Sequence, residues 1–337
     1  MSLAAHVRAM GRGPGRARSL ERHEAADAMA RILDGTADPH AVGALFMLMR
    51  YRGETADEIA GFVEAMRARL VPWRAVGAAV DWPSYAAGRS RGLPWFLLSA
   101  RLVAGAGLPV LIHGYNGEGT AADRVRENLA AAGIAVARTP PEAAALLARR
   151  RIAYLPLEAL DPRLMGLLAL RDVLGLRSPV NTCLRALNPA GAATSVQGVF
   201  HPAFRALQRE AAARLGQPAL AVIKGGGGEF ERHPAKAITV EGLSDGRPVT
   251  LEAPARLPGA AHRLADIAPG SDLAATLAAA RAGHPNAAAV EAVITGTAAL
   301  ALHAAGAAAS LPDAEALAAR QWHRLAMPGV ASLAGVA

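Results

Sequence analysis

Between residues 20 and 70 the apolar positions recur at helical spacing. In "SLERHEAADAMARILDG" Ala25, Ala28, Met29, Ile32 and Leu33 fall on one face, with Ser19 as the candidate N-cap and Gly35 as the stop. "DPHAVGALFMLMRYRG" places Pro39 in a first turn and Gly53 at the end. "TADEIAGFVEAMRARL" opens with Thr55 and Glu58 at capping-box spacing. Three short helices with tight connections predict a small bundle.

From about residue 75 the pattern changes. "GLPVLIHG" (107–114), "IAYLPL" (152–157) and "PALAVIKGG" (218–226) are short apolar runs. Helical stretches at 119–132, 161–174 and 270–282 alternate with them, which predicts an α/β domain on a mainly parallel sheet. "AITVEGLSDGRPVTLEAP" (237–254) alternates in polarity about Asp245-Gly246 and predicts an antiparallel hairpin. Segments 266–283 and 286–306 predict closing helices.

Composition narrows the classes. With 337 residues and 52% hydrophobic content the chain can bury a large core, and it carries no run of 18 uncharged apolar residues. It has one cysteine, Cys183, so no disulfide forms within the chain and no cysteine-based zinc site exists. A cytoplasmic protein without a signal peptide or membrane span is expected. Net charge is +8, nearly all from arginine. The only lysines, Lys224 and Lys236, flank "IKGGGGEFERHPAK" (223–236). A glycine run at a strand end can cradle phosphates through backbone N–H groups, and open α/β sheets bind ligands beyond the carboxyl ends of their strands. His113-Gly114 and Lys224-Gly225 both sit at such ends. Arg8, Arg12, Arg16 and Arg18 fit either a disordered or a polymer-gripping arm, and Cys183 fits the core.

Residues 20–70, with their Gly53-Glu54-Thr55-Ala56-Asp57-Glu58 run, resemble the N-terminal helical domain of anthranilate phosphoribosyltransferases and the related nucleoside phosphorylases. "LIHGYNG" (111–117) resembles that family's Lys-His-Gly-Asn motif. "LALRDVLGLRSPVNTCLRALNPAG" (168–191) resembles its returning helix, and 286–306 its closing helix. The resemblance implies an α/β fold with a small all-α domain, in the two-domain phosphoribosyltransferase arrangement with a mainly parallel central sheet. The helical domain would comprise residues 1–70 with a returning segment near 163–190; the α/β domain would comprise 75–162 and 191–337.

Departures from the family pattern bear on function. Where the enzymes carry a Gly-Thr-Gly-Gly-Asp pyrophosphate loop, this chain reads "VDWPSYAAGRSRGLP" (80–94). Ile112 replaces the lysine before His-Gly, and Phe230-Glu231 replaces the magnesium-binding Asp-Glu pair, with Glu229 adjacent. Arg171 matches the arginine that contacts anthranilate. The glycine loop and the Pro-Ser-Tyr segment resemble the YbiB-type branch of the family, homodimers that bind nucleic acids without sequence preference. That resemblance implies a catalytically inactive homodimer, joined through the helical domain, gripping single- or double-stranded DNA or RNA. The expected phosphate contacts are Lys224, Gly225, Gly226, Gly227, Gly228, Arg232, Lys236, Arg89, Arg91, Tyr85, His113 and Arg171, with Tyr85 or Trp82 stacking on bases. No cofactor is expected on that reading. The alternative is a Mg²⁺-dependent transferase using phosphoribosyl pyrophosphate, with His113, Arg171 and Glu231, joined by Glu229, at its site. A third reading is a receptor for a small phosphorylated metabolite.

Overall fold

The computed structural model describes residues 2–13, 15–85, 93–115, 123–259, 273–283 and 285–326. Its N-terminal layer is helical: α1 (Ala4–Gly11), α2 (Arg22–Leu33), α3 (Pro39–Arg52) and α4 (Ala56–Ala68). The Thr55 hydroxyl accepts from the Glu58 amide at 3.2 Å, and the Glu58 carboxylate accepts from the Thr55 amide at 2.8 Å. The second Glu58 oxygen reaches the Leu20 amide at 2.9 Å, so one buried carboxylate caps α4 and fixes the entry to α2. The N-cap of that helix is Glu21 rather than Ser19. Glu24 accepts from the Glu21 amide and is clamped by Arg18 through two bonds, which places the cap two residues later. The arginine-rich start of the chain is no arm through residue 11, because Ala4–Gly11 is helical.

The remaining elements build the α/β layer: β1 (Val80–Ser84), α5 (Phe96–Gly105), β2 (Val110–Gly114), α6 (Asp123–Leu129), α7 (Pro140–Arg150), β3 (Ile152–Pro156), α8 (Leu157–Leu160), α9 (Pro162–Leu174), α10 (Val180–Arg185), β4 (Thr194–Val199), α11 (Phe204–Arg214), β5 (Ala219–Lys224), β6 (Ile238–Ser244), β7 (Arg247–Ala253), α12 (Leu273–Arg281), α13 (Ala287–Ala304) and α14 (Leu311–Ala326). The seven-stranded sheet runs β3-β2-β1-β4-β5-β6-β7. Its first five strands are parallel; β6 and β7 form the expected antiparallel hairpin. Asp245 and Gly246 take φ of 49° and 73°, the left-handed pair that a two-residue hairpin turn requires.

Alternation along β2 separates two cores. Val110 and Ile112 join Trp82, Phe96, Phe230 and α13 on one face, while Leu111 packs with the helical layer and α10 on the other. Ala287–Ala304 is apolar and long enough to span a membrane, but 72% of it is buried inside the protein as a core helix. Strand order reverses between β1 and β4. These strands pair only at Val80↔Thr194 and Asp81↔Ser195, and such a reversal is where α/β sheets open a ligand crevice.

Candidate active site

Polar residues of β1, β2 and β4 form a buried seam beneath this crevice. Tyr85 Oη lies 2.8 Å from His113 Nδ1, and His113 Nε2 lies 3.1 Å from Asp81 Oδ1. The Ser195 hydroxyl donates to Asp81 Oδ2 at 2.8 Å, and Gln197 Nε2 donates to Ser195 Oγ at 3.3 Å. All five side chains are buried. His113 therefore has a carboxylate partner that its sequence neighbours did not reveal. The seam ties the strand ends together and keeps both rings out of reach of a ligand.

Above the seam lies a cavity of about 270 Å³ between the helical and α/β layers. Arg50 and Glu54 line it from the end of α3; Arg177, Ser178, Asn181, Thr182 and Arg185 from α10 and the turn before it. Val199, Phe200, His201, Phe204 and Gln208 come from the end of β4 and from α11, and Gly227 from the glycine loop. Arg185 is buried and bridges the layers, with Nη1 donating to the Asn181 carbonyl at 2.9 Å and Nη2 to the Tyr85 carbonyl at 3.2 Å. Burial pulls its guanidinium down to about 10. Burial also lowers Arg177, reinforced by the charges of Arg171 and Arg50, and raises the Glu54 carboxyl. Four buried polar atoms on the lining have no hydrogen-bond partner: Ser178 Oγ, Asn181 Oδ1 and Nδ2, and Gln208 Oε1. Unsatisfied buried polar atoms are costly, and several converging on one cavity mark it as built to hold something polar.

The glycine loop is packed rather than open. The amides of Gly225, Gly228 and Glu229 donate to the carbonyls of Val199, Gly225 and Gly226. A Cβ on Gly198 would lie 2.0 Å from the Glu229 carbonyl carbon, and one on Gly225 would lie 1.6 Å from the Glu229 oxygen. Glycine is needed here so that the loop can lie flat on β4. The Ser84 hydroxyl donates to Glu229 Oε1 at 3.0 Å, and the Phe96 amide donates to Glu231 Oε1 at 3.1 Å. Both carboxylates are buried. One oxygen of each is thereby held inside the protein. Among the described residues no group of three His, Cys, Asp or Glu side chains converges on a point.

The residues expected to grip phosphate divide accordingly. Lys224, Lys236 and Arg171 are exposed. Arg232 is not: its guanidinium is wholly buried, with Nη1 on Glu315 at 2.7 Å and Nη2 on the Pro254 carbonyl at 2.6 Å. Tyr85 and His113 are committed to the seam. Trp82 stacks on Phe96 and meets Phe230 edge-on in the core, so it presents no face to a base. Arg89 and Arg91 lie outside the described residues. Arg50, Arg177 and Arg185 were missed as site residues. Their only sequence signal was membership of the segments resembling the family's helical domain and returning helix.

A helical bundle set on a doubly wound sheet, with a polar cavity where the strand order reverses, defines a two-domain transferase fold. The chain belongs to glycosyl transferase family 3: residues 7–70 match its helical bundle domain and 96–324 its a/b domain. It is 32% identical over 298 residues to an anthranilate phosphoribosyltransferase of Azorhizobium caulinodans, covering 88% of this chain and 86% of the relative. It is likewise 32% identical over 304 residues to that of Rhizobium rhizogenes, covering 89% of each. The anthranilate phosphoribosyltransferase of Thermus thermophilus superposes with a TM-score of 0.74 at 25% identity, covering 94% of each chain. The Saccharomyces cerevisiae enzyme, solved in complex with PRPP and Mg, shares the fold at 14% identity, with a TM-score of 0.73 over 96% of this chain and 94% of that one. These relatives overturn the expectation of a catalytically inactive, DNA-binding protein with nucleic-acid partners. They are named as enzymes, none points to the YbiB-type branch, and burial removes Arg232, Tyr85 and Trp82 from any surface a polymer could reach.

Proposed function

We propose that this protein is a phosphoribosyltransferase that uses phosphoribosyl pyrophosphate as donor and binds an anionic aromatic acceptor in the interdomain cavity. The observation that carries this reading is the cavity: three guanidiniums, unsatisfied polar atoms and two phenylalanines enclose about 270 Å³ at the switch point of the sheet. That volume lies just under the usual range for small-ligand sites, which favours a single-ring compound over a nucleotide. The names of the relatives supply the donor and the reaction.

In the transfer, the acceptor nitrogen bonds to the ribose anomeric carbon. The carbon–oxygen bond to pyrophosphate breaks and its electron pair leaves with pyrophosphate, while the nitrogen gives up one proton. Arg50, Arg177 and Arg185 hold the acceptor's acidic group. Ser178, Asn181 and Gln208 orient it, and Phe200 and Phe204 flank the ring and exclude water. Rate is gained by holding the two reactants in line. Lys224, exposed at the end of β5, supplies a cation for the donor's phosphates on this reading. His113 is no general base on this reading, because both of its ring nitrogens face the buried seam. Magnesium accompanies the donor in the yeast structure. Glu229 and Glu231, each with one oxygen held by Ser84 or Phe96, are the carboxylates that would hold it here, and no step is assigned to the ion. This reading keeps the cytoplasmic placement expected from the lone cysteine.

The test is calorimetric titration of the protein with phosphoribosyl pyrophosphate and Mg²⁺, followed by anthranilate fluorescence in the same mixture. Donor binding and loss of fluorescence support the reading. Absence of donor binding overturns it.

A further inference from the structure

We infer that the first two helices hold a second anion site, which takes the phosphate group of a small phosphomonoester. The site goes beyond the transferase reading and shares no lining residue with the interdomain cavity. A hollow of about 270 Å³ lies between α1 and the start of α2. Ala5 and Ala9, one turn apart on α1, line one side of it, and their methyl groups leave room that longer side chains would fill. After α1 the chain turns back. Gly13 takes a φ of 84°, a left-handed value open to glycine, and its carbonyl accepts from the amides of Arg16 at 3.3 Å and Ala17 at 3.0 Å. The Arg18 amide then closes on the Ala9 carbonyl at 2.9 Å. This return brings Arg12, Arg16 and Arg18 to one hollow.

The three arginines differ in their commitments. Arg18 is already paired, its Nη1 and Nη2 meeting the two oxygens of Glu24 at 2.5 and 2.6 Å. Glu24 is the one acid among the described residues that line the hollow, and it also accepts from the Glu21 amide at 2.9 Å. Arg12 and Arg16 are exposed and form no ion pair with any described residue. His6 gives an independent sign of a ligand. It lines the hollow and is only 9% exposed, with Nε2 lying 3.2 Å from Asp27 Oδ2. Asp27 does not line the hollow and also accepts from Arg31 at 2.7 Å. The other ring nitrogen, Nδ1, is buried without a hydrogen-bond partner, a costly state that an occupant of the hollow would relieve. An imidazole nitrogen can accept from a phosphate hydroxyl or, on a protonated ring, donate to a phosphate oxygen. Each free guanidinium can give two parallel N–H bonds to phosphate oxygens, a match that a compact ammonium lacks. A bare phosphate ion would fill only part of the hollow, which favours a phosphate carried on a small organic group.

The experiment titrates the full chain calorimetrically with glycerol 3-phosphate and with inorganic phosphate. It compares wild type, the double variant Arg12→Gln/Arg16→Gln, and Arg50→Met in the interdomain cavity. Glycerol 3-phosphate is expected to bind wild type and Arg50→Met alike and to compete with inorganic phosphate. Its affinity should fall at least about tenfold in the double variant, as the loss of charged hydrogen bonds allows. Both replaced side chains are exposed and unpaired, so the double variant should melt with wild type by circular dichroism. The ring signal of His6, assigned by its absence in His6→Gln, should shift in the NMR spectrum when glycerol 3-phosphate is added to wild type and stay in place in the double variant. Absence of binding, binding of inorganic phosphate alone, or affinity unchanged in the double variant overturns the inference. So does affinity lost in Arg50→Met, which would move the phosphate to the interdomain cavity.

Discussion

Replacing Arg232 separates a structural role from a binding role. Its guanidinium is 0% exposed and serves both Glu315 and the Pro254 carbonyl, tying the loop after β5 to α14 and to the end of β7. Arg232→Met keeps most of the volume and removes the charge. Breaking a buried ion pair by deleting one partner typically costs about 3–5 kcal/mol. Glu315 remains 28% exposed and has Arg256 at 3.8 Å as a second partner, which places the loss near the lower end, about 3 kcal/mol. For a chain of this size that lowers the melting temperature by roughly 4 °C. Thermal unfolding by circular dichroism measures the shift, and calorimetry with phosphoribosyl pyrophosphate measures binding below the transition. A melting point within about 1 °C of wild type, together with lost donor affinity, would refute the argument and return Arg232 to the ligand side.

Gly198→Ala should destabilise the protein by at least about 2–3 kcal/mol, because its Cβ meets loop backbone at 2.0 Å and overpacking against backbone leaves little room to relax; a urea midpoint unchanged from wild type would contradict the packing account of the glycine run. Tyr85→Phe removes one buried hydrogen bond to His113 and should cost about 1–2 kcal/mol in the same assay, with acceptor affinity unaltered. Arg18, aided by the Glu21 amide, holds the Glu24 carboxyl down at about 2, against an ordinary value of 4.5. A depressed carboxyl contributes stability above its unfolded value and loses it as pH falls, so the gap between wild type and Glu24→Gln should be widest above pH 4.5 and close toward pH 2. A gap that stays constant across that window would rule out the Arg18 clamp as its source.

The sequence exposed those elements whose signals are local. Thr55 with Glu58, Pro39 in a first turn, and Asp245-Gly246 each state a helix start or a turn within four residues. Strands β1 and β4 escaped because Asp81, Ser84, Thr194, Ser195 and Gln197 interrupt the apolar runs that mark buried strands. Their polarity is satisfied only across strands, as Ser195 on Asp81 shows, and no window of one strand contains that information. The site suffered from the same limit. Four glycines beside a lysine read as a phosphate cradle, yet Gly225 is required because a Cβ there would strike the Glu229 carbonyl, and Gly198, in another strand, because its own Cβ would strike the same group. Arg232 and Lys236 look alike in the sequence, whereas one is buried in an ion pair and the other exposed. The cavity draws its positive charges from residues 50, 177 and 185, and only the tertiary fold brings the ends of α3 and α10 together around it.

The central claim is transfer of the phosphoribosyl group to an acceptor held between the two layers. Its most direct measurement is acceptor-dependent release of pyrophosphate from phosphoribosyl pyrophosphate with Mg²⁺ present, comparing wild type with Arg50→Met and Arg185→Met. Release that requires an aromatic acid and falls at least about tenfold in both variants is the predicted result. No release with any aromatic acid, or release that both variants sustain at the wild-type rate, would contradict it.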